Sequence, residues 1–209
     1  MRKGRVFRIN AFGFFEFFKK NSFLFTITLF FTIGVFIGVF SLGGFNYLKN
    51  YSDNYITDYL LLRQNTGFGG IFFKSLLNNL SVLFIFFLLG TSLFGLITVP
   101  VCIVFKGLLQ GGVISFLYAT YGIKGVAFNA IILIPSTVVF VITLLVACRE
   151  SVRFSLKFAS LTLNKTMPFN MAQDFKEYST KYLLFSGGCL LAAFIDALVS
   201  TGLIKHFTL

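Results

Sequence analysis

Charge is the scarcest ingredient of this chain. Only 12% of its 209 residues are charged, and between Leu80 and Cys148 the sole formal charges are Lys106 and Lys124. A soluble domain carries about twice that share of charge, so an uncharged stretch of this length excludes a water-exposed fold. Histidine is nearly missing, with His206 standing alone near the C-terminal end. Cys102, Cys148 and Cys189 are scattered, with no C-x-x-C and no histidine close by, so neither a metal site nor a redox pair is indicated. They read as small hydrophobes. No carboxylate pair stands at catalytic spacing in the apolar block. The glycines from Gly107 to Gly112 lack the strand–helix context of a dinucleotide fingerprint. No catalytic residue, metal site or cofactor is therefore expected, and enzyme activity is disfavoured.

What the chain has instead is hydrocarbon. It is 56% hydrophobic, with continuous runs at Phe23–Phe40, Leu80–Val99 and Val126–Cys148. With no water in the bilayer core, every backbone amide must be satisfied within the protein, which leaves helices or a closed barrel. A barrel would show short alternating segments, so continuous runs select helices. At about 20 apolar residues per crossing, about five transmembrane helices are expected, at 22–42, 71–99, 101–121, 126–148 and 182–204. The fold class is all-α: a single polytopic membrane helix bundle with interfacial helices.

The net charge of +11 would point to nucleic acid in a soluble protein. Here the positive charges lie mostly outside the apolar runs, the pattern of cytoplasmic flanks. No nucleic acid partner is expected, and the lipid bilayer is. Arg2, Lys3, Arg5, Arg8, Lys19 and Lys20 bracket Phe12, Phe14, Phe15, Phe17 and Phe18, which flank Glu16, as in a basic, aromatic interfacial helix. Residues 1–21 and 149–181 are then cytoplasmic, and 43–70 is external. Four spans between the two basic segments keep this assignment self-consistent. The sequence from Val152 to Leu161 fits either a continuation of the fourth helix or a strand.

Within that frame, particular residues stand out. Gly34-x-x-x-Gly38 has the spacing of a close helix–helix approach, and such small-residue spacings are compatible with a homo-oligomer. Tyr51, Tyr55 and Tyr59 recur every four residues on one helical face, as an interfacial helix or a partner-docking surface would place them. Lys106-Gly107 and Lys124-Gly125 read as turn markers, inner and outer respectively. Pro135 should kink the fourth span, with Ser136 and Thr137 re-satisfying the freed backbone. Asp196 is the one acid inside an apolar span, where an ionisable group usually faces a bundle interior. Lys106 is its distant candidate partner.

An ordered set of these residues resembles the stage II sporulation protein M family. It comprises Gly90-Thr91-Ser92-Leu93-Phe94-Gly95, Lys106-Gly107, Gly111, Gly122-Ile123-Lys124-Gly125 and Pro135. Asn78-Asn79, Phe154-Ser155-Leu156 and Asp196 also fit. The resemblance spans about 72–158, and the remainder follows by topology. Departures are local: Pro100 comes late, and Ile142 stands where a second proline is usual. The resemblance implies a membrane protein at the sporulation septum that works in engulfment without hydrolysing anything itself. It would anchor peptidoglycan hydrolases, an amidase/endopeptidase and a lytic transglycosylase. The alternative is a transporter or permease subunit with a polar site near Asp196. Gly90, Gly95, Lys106, Gly107, Gly111, Gly122, Gly125, Pro135, Asp196, Tyr51, Tyr55 and Tyr59 are the candidate packing or partner-binding residues.

Overall fold

The computed structural model describes residues 22–41, 46–163 and 171–203. The interfacial helix expected within 1–21 lies outside the described residues, as does His206. The order of elements is α1 (Ser22–Ser41), α2 (Asn46–Asn65), α3 (Phe68–Gly90), α4 (Gly95–Phe128), a π-helical turn (Asn129–Leu133), α5 (Ile134–Leu163) and α6 (Met171–Leu203). No strand occurs among the described residues. The all-α expectation holds, and the 152–161 segment is helical.

Hydroxyls inside the apolar helices do not look for partners in lipid. Thr26, Thr28 and Thr32 donate to the carbonyls of Ser22, Leu24 and Leu29 in their own helix, at 3.1, 2.9 and 2.9 Å. Outward-facing side chains are apolar: Phe36, Phe40, Phe73, Ile97, Leu183 and Leu184 are all exposed. On a water-soluble surface this would be untenable, whereas in a bilayer it is the expected lipid-facing layer.

Four helical runs are long and apolar enough to cross a membrane, and the longest covers Gly95–Ser160, 66 residues. At 1.5 Å per residue that run would reach about 100 Å, far beyond a hydrocarbon core of about 30 Å. It reverses at Gly122 (φ 58°, ψ −135°), which divides it into two crossings and brings the total to five. Beyond the reversal, Gly125 packs on the Leu117 carbonyl of the ascending arm. The G-x-x-G sequence thus makes the hairpin, with Lys124 in the turn.

The turn between α3 and α4 lies elsewhere than the sequence indicates. It occupies residues 91–94, where the Thr91 hydroxyl bonds the Leu88 carbonyl at 2.8 Å and Ser92 Oγ accepts from the Phe94 amide at 3.2 Å. Lys106 therefore marks no turn; it sits within the ascending arm of α4. Pro100, the helix boundary that the sequence suggests, lies inside α4. The hydroxyl-rich Thr91-Ser92 pair ends α3 earlier, and the proline withdraws only one donor close to the new N-terminus.

α1 and α4 form the closest seam. A methyl on Gly34 would collide with the Val104 carbonyl, and on Gly38 with that of Leu108. From the other side, Gly107 abuts the Phe31 carbonyl and Gly111 that of Val35. Residue numbers rise together along the seam, so the two helices run parallel. Gly34-x-x-x-Gly38 is thus engaged within the chain. α3 and α6 are antiparallel, with Ser75 near Asp196 at one end and Phe87 against Tyr178 at the other. The core has two parts. Ile27, Phe86, Ile103, Leu144, Val152 and Cys189 lead one, and Ile56, Phe116, Leu117, Phe128 and Ile132 the other, beneath α2.

Gly122 is the single described residue with positive φ, and nothing lies within 4 Å of where its side chain would be. Gly122→Ala should therefore act through backbone strain alone, lowering stability by about 1–3 kcal/mol. Gly187→Ala, equally open but helical, should be neutral or slightly stabilising. Unfolding of both variants in a mixed-detergent titration checks this contrast; equal effects would refute it.

Candidate functional site

α2 is a helix because Tyr51, Tyr55, Tyr59 and Arg63 repeat every four residues, giving it one continuous stripe. The tyrosine rings follow one another at 6.2 Å. The Arg63 guanidinium then lies over the Tyr59 ring, 3.2 Å from its centroid. Leu48, Ser52, Ile56 and Tyr59 are buried, the last with its ring edge-on to Phe128. α2 is thus fastened across the end of the bundle at which α4 turns back.

Arg63 and Asp196 form an ion pair there, with side chains only 3% and 9% exposed. Asp196 is fully subscribed. One oxygen accepts from Tyr59 Oη at 3.1 Å and from Ser200 Oγ at 3.4 Å; the other accepts from Arg63 and Ser75. Arg63 Nε donates to Ser200 Oγ at 2.9 Å, and Nη1 donates to the Tyr59 carbonyl at 3.3 Å. Burial pushes the Tyr59 phenol far above its ordinary ionisation range, and the neighbouring Asp196 carboxylate pushes it further. It stays a neutral donor at any physiological pH. This network ties α2, α3 and α6 together.

Beside the network lies a cavity of about 720 Å³. Arg63 and Asp196 line it, and it extends along the bundle to Lys106 on α4. Asn78, Asn79, Gln110, Ser136 and Thr137 contribute polar groups to the same wall, and Phe140 contributes a ring 5.9 Å from Lys106 Nζ. Thr137 and Ser136 reach it because Pro135 follows the π-helical turn, which absorbs the proline's missing donor; Ser136 Oγ bonds the Leu133 carbonyl at 3.2 Å.

The opposite end of α3 is held by a second cluster. The Ser151 hydroxyl lies 3.0 Å from the Phe86 carbonyl and contacts Tyr182, while Tyr178 donates to the Phe87 carbonyl at 3.0 Å. Phe154 stacks on Tyr178 at 4.4 Å, and Phe87 stacks on it at 5.1 Å.

The family model of Stage II sporulation protein M matches residues 27–201, from the first apolar helix to the end of the last. The chain belongs to the stage II sporulation protein M family. No curated protein and no solved structure matches it. The candidate glycines sit at close contacts and at a turn in this bundle. A side chain on Gly90 would strike Tyr178 and Ser151, and one on Gly95 would meet the Leu89 carbonyl and Ser155. Gly107 and Gly111 form the α1–α4 seam, and Gly122 and Gly125 the hairpin. The structure gathers Tyr55, Tyr59, Asp196 and Lys106 around one cavity and leaves the glycines outside it.

Lys106 is not the partner of Asp196, although both line the cavity; that role falls to Arg63. Tyr59 faces inward, away from any docking surface. Arg63, Ser75 and Ser200 join the site although the sequence does not single them out. One signal was available: Arg63 continues the tyrosine stripe four residues on. Among the described residues no group of three potential ligands is placed to hold a metal.

Removing one member of a buried ion pair strands the other, at a cost of about 3–5 kcal/mol. Asp196→Leu and Arg63→Met should each destabilise the purified protein to that extent. The double variant should regain most of the loss, because Tyr59 keeps Ser200 as a partner, 3.2 Å away. A double-mutant cycle on unfolding in detergent measures the coupling, and additive losses would exclude it.

Proposed function

We propose that this family member is a non-enzymatic membrane scaffold that holds peptidoglycan hydrolases at the sporulation septum during engulfment. The observation that carries this reading is the way α2 is mounted. One face is locked into the bundle through Tyr59, Arg63 and Asp196. The other presents Lys49, Asp53, Asn54, Thr57 and Gln64 to the surroundings. A short helix clamped against a bundle and polar on its free face is a pre-ordered docking platform, which loses little entropy on binding. Anchoring in the membrane raises the local concentration of whatever it captures.

The orientation that serves this role follows from charge. The basic segment 149–181 stays in the cytoplasm under the positive-inside rule, and α2 is outside, where the cell wall is. The cytoplasmic ends of α5 and α6 are joined by Lys157–Asp174 at 2.6 Å and Lys181–Glu150 at 2.7 Å. The partners are an amidase/endopeptidase and a lytic transglycosylase. The polar cavity favours a second reading, a transporter or permease subunit, in which Asp196→Asn would abolish solute flux.

Co-purification from sporulating membranes tests the scaffold. The wild-type protein should retain wall hydrolases, and Asp53→Ala/Thr57→Ala/Gln64→Ala should lose them while its membrane level stays unchanged. Recovery of no hydrolase by the wild type, together with normal engulfment in a deletion strain, would sink the reading.

A further inference from the structure

The charges around the cavity do not balance locally. Its lining holds three cations, Arg63, Lys74 and Lys106, and two acids, Asp58 and Asp196. Arg63 and Asp196 satisfy each other. Asp58 and Lys74 are exposed, at the end where the cavity opens beneath α2. Lys106 lies deeper, midway along the ascending arm of α4. Among the described residues no carboxylate comes within ion-pair distance of it. The Phe140 ring lies 5.9 Å from its ammonium.

An ammonium held in an apolar bundle without a counter-charge is costly. A bound anion removes that cost. Asn78, Asn79 and Gln110, on the same lining, supply neutral amide groups around it. The space is too large for a bare inorganic anion: at about 720 Å³ it falls in the range of sites that enclose molecules of drug size. Phe31, Leu133 and Val141 line it with hydrocarbon. A ligand that fits both features has a charged head and an apolar body.

We propose that this cavity binds the phosphate-bearing headgroup of an anionic amphiphile, with Lys106 as the principal charge partner and Lys74 guarding the entrance. Asp196 takes no part, because its four hydrogen-bond donors are all supplied from within the chain. The site is independent of whether α2 docks a hydrolase.

The test uses the full-length protein in neutral detergent and native mass spectrometry. The probes are dioctanoyl phosphatidylglycerol, dioctanoyl phosphatidylcholine and inorganic phosphate. The wild type should retain one phosphatidylglycerol in preference to phosphatidylcholine. Lys106→Gln should weaken that binding about tenfold or more, the loss of one charge-assisted hydrogen bond. Lys106→Arg should keep it, and Lys124→Gln, in the distant hairpin turn, should leave it unchanged. Lys106-dependent retention of phosphatidylglycerol with no binding of inorganic phosphate supports the amphiphile, whereas Lys106-dependent binding of phosphate with no lipid retained would make the occupant a soluble anion and overturn it. Equal retention of the two lipids by the wild type overturns the proposal. So does undiminished binding by Lys106→Gln. Should that variant fail to accumulate, Gln110→Leu on the same wall replaces it, with the same two outcomes.

Discussion

Removing an arginine and an aspartate from water costs several kcal/mol for each ion, and only good geometry with further hydrogen bonds returns it. In this protein the return requires three helices at once. Arg63 comes from α2, Ser75 from α3, and Asp196 and Ser200 from α6. If any one of them shifts, a charge or a hydroxyl is left without its partner. The pair therefore works less as a source of net stability than as a condition on how the helices assemble. It fixes the rotation of α2, and through α2 it determines which residues face outward.

The same logic recurs at the other end of α3 with neutral groups. Gly90 brings the backbone close enough for Ser151 and Tyr178 to reach the carbonyls of Phe86 and Phe87. α3 is thus strutted against α6 near both its termini, and polar contacts concentrate at those two levels. From the Arg63–Asp196 level, which it borders, the cavity extends along the bundle to Lys106. A bundle tied at both ends can tolerate such a void without collapsing, since the ties prevent the helices from closing on it.

Much of this was legible in the sequence, for identifiable reasons. Helix number and class follow from the absence of charge, because the bilayer admits so few alternatives. The hairpin at Gly122 was readable from G-x-x-G beside a lysine. Asp196 stood out as an acid in hydrocarbon. The partner of Asp196 did not, since the choice between Arg63 and Lys106 depends on where α2 crosses the bundle, which no local pattern encodes. The α3–α4 turn departs from the sequence expectation because another local signal prevails. Pro100 is the more conspicuous breaker, yet the turn forms at Thr91-Ser92, where hydroxyls meet the freed backbone groups. Local hydrogen-bonding capacity outweighed the strongest local breaker.

The parallel seam between α1 and α4 also carries a consequence for biosynthesis. A chain enters the bilayer in the order in which it is made, and α1 enters before α4. The glycines that will receive it, Gly107 and Gly111, emerge only after α2 and α3 have been completed. Until then α1 has lipid for a neighbour, and its threonines, already bonded to their own backbone, leave little unsatisfied on its surface. Closing the seam is therefore a late event in the membrane, and α1 must be stable there alone before it belongs to the bundle.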